Sequence, residues 1–196
     1  MARGHLKNVL SEDWKDLKEV WEWYIFQDGL VGDEAARTLD VSFAGLTLNK
    51  AQYFGMTTDD LSTLFDEHRQ ELKRVPMLVL LAATEAALMV DYVVRVRERK
   101  KDEISKDFIA IYRLRKLEPK LSEEILDVWR TRVAHPAMKA AIDRYKGALK
   151  LRNWLAHGRY KEPEERPKFD PSGIRDYEPE DILEIGTALL TTAGIK

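Results

Sequence analysis

The chain has 196 residues, 44% of them hydrophobic and 34% charged, with 10 Gly, 7 Pro and a formal net charge of −2. That length suffices for one domain with a real core, and so few turn-formers favour helices over many short strands. No cysteine is present, which excludes disulfides, thiolate metal sites and cysteine nucleophiles. Met1–Leu10 carries Arg3, His5 and Lys7 without an apolar stretch, so no secretory signal is expected and the cytoplasm is the expected compartment.

In chain order, Ser11 precedes a charged, aromatic-rich stretch, Glu12–Gln27, that is read as ending at Asp28-Gly29. Trp14, Leu17, Trp21, Tyr24 and Ile25 recur at helical spacing there and predict one amphipathic helix with a bulky core face. A second helix is expected from Asp33 towards Leu48, weakened by Val41-Ser-Phe. Thr57-Thr58-Asp-Asp offers an N-cap for a third, through Arg74. Pro76 suits the first turn of the next, which crosses an apolar segment into Arg95, Arg97, Arg99, Lys100 and Lys101. Shorter helices follow at Ile104–Leu117 and Ser122–Ala134, the latter capped by Ser122-Glu-Glu-Ile. Pro136 opens a long helix from Ala137 to about His157, with Gly158 as its natural C′ residue. Residues 161–179 hold four of the seven prolines and read as an extended loop, and Asp181–Thr192 makes a last short helix. The pattern predicts an all-α helical bundle.

Met77–Val94 is apolar apart from Thr84, Glu85, Asp91 and Tyr92. A bilayer-spanning helix wants about 20 apolar residues, and two carboxylates in mid-span are costly there. A helix buried in the middle of a bundle is the better reading.

From Ala137 to Lys161 the chain sets Lys139, Arg144, Lys146, Lys150, Arg152, Arg159 and Lys161 against Asp143 alone. An acidic protein that concentrates positive charge on one helix has a place for a polyanion; the plainer alternative is a solvated helix face. That helix ends in Leu151-Arg-Asn-Trp-Leu-Ala-His-Gly-Arg-Tyr160, where Leu151, Trp154 and Leu155 can face the core and Arg152, Asn153 and His157 form the polar set. Cleaving RNA without a metal needs a group that moves protons near neutral pH and a fixed cation on the phosphate. Histidine meets the first need and arginine the second. The RNA 2′-hydroxyl is the nucleophile, so neither serine nor cysteine is required. His157 also sits near a helix C-terminus, where the backbone dipole favours the imidazolium. Residues five apart lie about 140° around a helix and about 7.5 Å along it. Arg152 and His157 therefore converge only if His157 lies in an unwound end, or if two copies of the helix meet in an isologous dimer.

The pattern Arg-(four residues)-His, with Asn153 directly after the Arg, resembles the motif of the HEPN superfamily. The string Arg152–Tyr160 looks like one bacterial branch of it, and Leu81-Ala-Ala-Thr-Glu-Ala-Ala-Leu and Val90-Asp-Tyr resemble that branch too, so the likeness spans roughly residues 75–161. The resemblance implies up-and-down core helices, with extra N-terminal helices here, and a homodimer whose Arg–His pairs form one composite cleft. It implies a metal-independent endoribonuclease that leaves a 2′,3′-cyclic phosphate, serving as a toxin or in phage defence, with RNA as substrate and a cognate antitoxin protein as a partner. Carried over, His157 is the general acid/base, Arg152 the phosphate stabiliser and Asn153 a polar aid to both. Relatives that have lost catalysis serve as dimerisation or nucleotide-binding modules. One HEPN-like domain is expected over 1–196, divided into N-terminal helices 1–75, a core 76–160 and a proline-rich tail 161–196.

A second Arg-x4-His, Arg130-Thr-Arg-Val-Ala-His135, precedes Pro136 at a helix break without the surrounding Trp, Gly and Tyr, and is set aside. Lys150, Arg159 and Tyr160 are placed to grip RNA backbone or stack on a base. Glu85, a carboxylate amid apolar residues, must be paired, neutral or solvated. It either holds Arg152 or lines the site, or it links to some other arginine. Asp91 and Arg95, four apart, predict a helix-surface pair. His5 and His68 lack partners at ligand spacing. With no Gly-rich phosphate loop, neither cofactor nor metal is expected. The competing reading is a non-catalytic helical module that dimerises or holds a partner through Trp14–Ile25 or Glu162–Asp181.

Overall fold

A computed structural model describes residues 16–45, 51–156 and 177–195, which are helical almost throughout and contain no strand. Six α-helices follow in order: α1 Leu17–Phe43, α2 Thr58–Glu98, α3 Glu103–Arg115, α4 Leu126–Arg132, α5 Pro136–Ala156 and α6 Pro179–Ala193. They belong to two compact units, one made of Lys18–Pro76 and the other of the chain from Met77 onward together with Leu17.

The first unit is built on α1 and the N-terminal half of α2. Two expected helices are one here, because α1 runs 27 residues through Asp28, Gly29 and Gly32. A glycine ends a helix when it takes a left-handed conformation. Gly29 does not, whereas Gly45 does, with φ +69°. Thr57 starts α2 as its pattern predicts: its Oγ1 accepts from Asp60 N at 3.1 Å, and the Asp60 carboxylate accepts from Thr57 N at 2.9 Å. Tyr53, Leu61 and Phe65 form the small core, with Ala35, Leu39, Met56 and Leu64 against it. The Tyr53 hydroxyl donates to Glu34 at 3.2 Å.

The second unit begins inside a helix. Pro76, expected at a helix start, lies within α2, which continues for 41 residues in all. Proline in a helix interior removes one ladder bond at a cost of about 3 kcal/mol. The helix survives here because residues on both sides are anchored, Leu61 and Phe65 before it and Met77, Leu80 and Leu81 after it. By length and composition α2 could cross a membrane, yet half of its most apolar stretch is buried inside the protein.

Buried along with residues of that stretch are Phe108 of α3, Leu126 and Trp129 of α4, Met138, Ile142 and Tyr145 of α5, and Ile182, Ile185 and Leu189 of α6. Asp102 caps α3, accepting from Ser105 N at 3.0 Å. Ser122 does not start a helix as expected. Residues Leu121–Ile125 form a π turn leading into α4, and the Glu124 carboxylate, held by Arg115 at 3.0 Å, accepts from Lys120 N at 2.7 Å. Pro136 opens α5 as predicted, and α6 starts from a reciprocal Glu178/Asp181 cap and ends at left-handed Gly194.

Candidate functional site

The C-terminal half of α5 meets α2 at Leu81 and Glu85. Tyr145 and Arg152 are seven residues apart and therefore share one face of α5. Leu81 and Glu85, four apart, share one face of α2. The Tyr145 hydroxyl, fully buried, donates to the Leu81 carbonyl at 3.0 Å, and Arg152 Nη1 stands 2.8 Å from Glu85 Oε2. The arginine that answers the buried-side carboxylate is thus Arg152, which settles the choice that the sequence leaves open. Burial pushes the Tyr145 phenol far above its usual range, and the nearby Glu85 carboxylate pushes it further, with Arg152 opposing. The phenol is a fixed donor and a brace.

Arg152 and Glu85 keep 34% and 29% of their side-chain surface exposed, so the pair lies at the mouth of the helix contact and not within it. A guanidinium carries five N–H donors, and one carboxylate contact does not exhaust them. Asn153 and Lys150 are exposed, while Leu151, Trp154 and Leu155 are half-buried, as their apolar character predicts. His157, Arg159 and Tyr160 lie outside the described residues, as do the 161–176 part of the expected proline-rich loop and Trp14.

Part of the positive charge expected on this helix is answered by acids. Three α5 cations face carboxylates on three different helices: Arg152 on Glu85 of α2, Lys146 on Asp127 of α4 at 2.7 Å, and Arg144 on Glu184 of α6 at 2.9 Å. Asp143 in turn receives Arg130 at 3.2 Å. Positive charge on α5 mainly fastens the helix to its neighbours.

His135, the histidine of the set-aside motif, caps the start of α5. Its carbonyl accepts from Met138 N at 3.0 Å and its Nδ1 from Ala137 N at 3.2 Å. Asp91 and Arg95, expected on the surface, are only 14% and 16% exposed. The Arg95 guanidinium also meets Asp102 at 3.1 Å and lies 5.1 Å from the centre of the Trp129 ring. Burial holds the Asp91 carboxyl above its ordinary value, and Arg95 offsets only part of that rise.

Tyr145 is the site residue that sequence reasoning missed. Its seven-residue spacing from Arg152 was the available signal. No protein-family model, no curated protein and no solved structure matches this chain.

Proposed function

We propose that the chain is a metal-independent endoribonuclease of HEPN type, acting as a homodimeric toxin or phage-defence effector in the cytoplasm. Its cleavage centre is the C-terminal end of α5. The observation that carries the reading is the Arg152–Glu85 pair. A guanidinium at the end of a helix, held in one orientation by a carboxylate yet still partly exposed, is what a phosphate stabiliser requires.

The chemistry follows from the residue types. An imidazole takes the proton from the RNA 2′-hydroxyl, the 2′-oxygen attacks phosphorus, and the P–O5′ bond breaks. A second imidazole, from the other subunit, returns a proton to O5′ as it leaves. Arg152 stabilises the negative charge that builds on the phosphate oxygens. Asn153 is a polar aid to both catalytic groups, and Lys150, Arg159 and Tyr160 grip the RNA backbone or stack on a base. A cognate antitoxin protein would act by covering this end of α5.

Purified full-length protein is expected to cut single-stranded or loop RNA equally in EDTA and in magnesium. Arg152→Ala and His157→Ala are each expected to reduce cleavage at least 100-fold, the scale set by loss of an acid–base group or of a charge stabiliser (about 10²–10³). Circular dichroism should show both variants folded. Cleavage that persists in both would end the assignment.

A second reading, a catalytically inactive dimerisation or partner-binding module, is favoured by one observation: Arg144, Lys146 and Arg152 all face carboxylates. Expression in bacteria separates the two readings, since a nuclease arrests growth and degrades RNA whereas a module leaves both unchanged.

A further inference from the structure

Helix α1 has two unlike faces. Val20, Tyr24 and Thr38 on one are buried. On the other, Glu19, Trp23, Phe26, Leu30, Asp33 and Arg37 succeed one another at steps of four and three residues, and all six are exposed. Trp23, Phe26 and Leu30 expose 41%, 62% and 50% of their surface. Alternating four–three spacing is the seam along which two helices interlock, and soluble monomers rarely leave such a contiguous bulky stripe open.

The charges at the ends of the seam select the occupant. If a second α1 lies antiparallel, with the two-fold axis at residue 28, every seam position meets another seam position. Glu19 faces Arg37 at both ends, Phe26 packs on Leu30 twice, and the Asp33 carboxylate meets the Trp23 indole, whose N–H is a donor. A parallel, in-register copy would instead set Glu19, Asp33 and Arg37 each against itself, which is repulsive. Arg37 is free to turn outward, because its present contact with Glu34, at 2.7 Å, is a surface pair with the arginine side chain 76% exposed.

We infer that the Glu19–Arg37 face of α1 is an isologous interface that binds a second copy of this chain antiparallel to itself. This surface belongs to the Lys18–Pro76 unit, and the inference does not rest on nuclease activity. Its seam is a self-complementary patch of the kind that closes a two-fold dimer.

Sedimentation of the full chain over a concentration series tests it. The wild-type chain should associate through this face, and Phe26→Glu, at an exposed position that leaves the fold intact, should lower the mass of the assembly, from dimer to monomer or, where the α5 ends also pair, from tetramer to dimer. Glu19→Arg and Arg37→Glu should each weaken the dimer roughly tenfold, by turning two attractive pairs into repulsive ones. The double variant Glu19→Arg/Arg37→Glu should restore wild-type affinity, which only the antiparallel pairing allows. A monomeric wild-type chain, a stripe covered by another part of the same chain, an assembly whose mass Phe26→Glu leaves unchanged, or a double variant that stays weak would each overturn the inference.

Discussion

Thr84 and Gly186 meet where α6 lies against α2, directly beside Glu85. The Thr84 hydroxyl is pinned, donating to Leu80 O at 2.9 Å. A Cβ added at Gly186 would stand 2.5 Å from that hydroxyl oxygen and 3.2 Å from Leu17 Cδ1. Gly186→Ala should therefore destabilise the protein by about 1–3 kcal/mol through overpacking, despite the better helix propensity of alanine. Thermal unfolding should show a Tm lower by several degrees, and Thr84→Ala in the same chain should recover most of the loss. An unchanged Tm in the single variant would mean that α6 is free to shift. At this scale the sequence is legible where a residue acts alone. Glu85 stands out as a carboxylate in an apolar run, and Arg152 by its motif. Tyr145 and Gly186 do not stand out, since their roles depend on which helix lies opposite.

Among the elements, some helix starts are legible and others are not. Thr57 announces α2 because a cap satisfies N–H groups within three residues of itself, and Pro136 announces α5 because its fixed φ suits a first turn, whereas the Glu178/Asp181 cap of α6 lies ahead of the expected Asp181 start. The Asp28-Gly29 stop and the Pro76 start fail because each residue type permits a break without requiring one. Arg69 ties Asp28 to α2 at 3.3 Å across the expected gap. The polar cluster at the α2–α3 junction carries a pH dependence of definite sign. Burial acts against the Asp102 carboxylate, but hydrogen bonds from the Ser105 side chain and backbone and the charge of Arg95 outweigh it and hold the carboxyl below its ordinary value. Its contribution is therefore complete above the unfolded value of about 3.9 and is lost as pH falls through the lower folded value. Asp91 works in the opposite sense, since burial raises its folded value and its penalty grows as pH rises through it. Asp102→Ala should lower stability at pH 7 by about 1 kcal/mol, the usual worth of an N-cap, and flatten the fall in stability below pH 4. Urea unfolding at stepped pH checks both; an acid limb identical to wild type would remove Asp102 from the account.

On the scale of the whole molecule, the all-helical class was readable from composition and apolar periodicity. The division at Pro76 was marked in sequence only by the proline itself. The chain's excess of basic residues between Ala137 and Lys161 suggests a polyanion surface, but three of those cations face carboxylates contributed by α2, α4 and α6. Charge along a sequence cannot reveal partners that arrive from elsewhere in the fold. Arg152 is itself one of the three: held by Glu85 and close to Tyr145, it keeps a third of its side-chain surface exposed at the C-terminal end of α5. The reaction ascribed to that end uses the RNA's own 2′-hydroxyl as nucleophile, so the most direct measurement is cleavage of matched oligonucleotides in EDTA with analysis of the product ends. A 2′,3′-cyclic phosphate is expected on one fragment, a 5′-hydroxyl on the other, and no cut where the nucleotide is 2′-deoxy. Cleavage of the 2′-deoxy substrate, or products ending in a 3′-hydroxyl and a 5′-phosphate, would contradict that reaction.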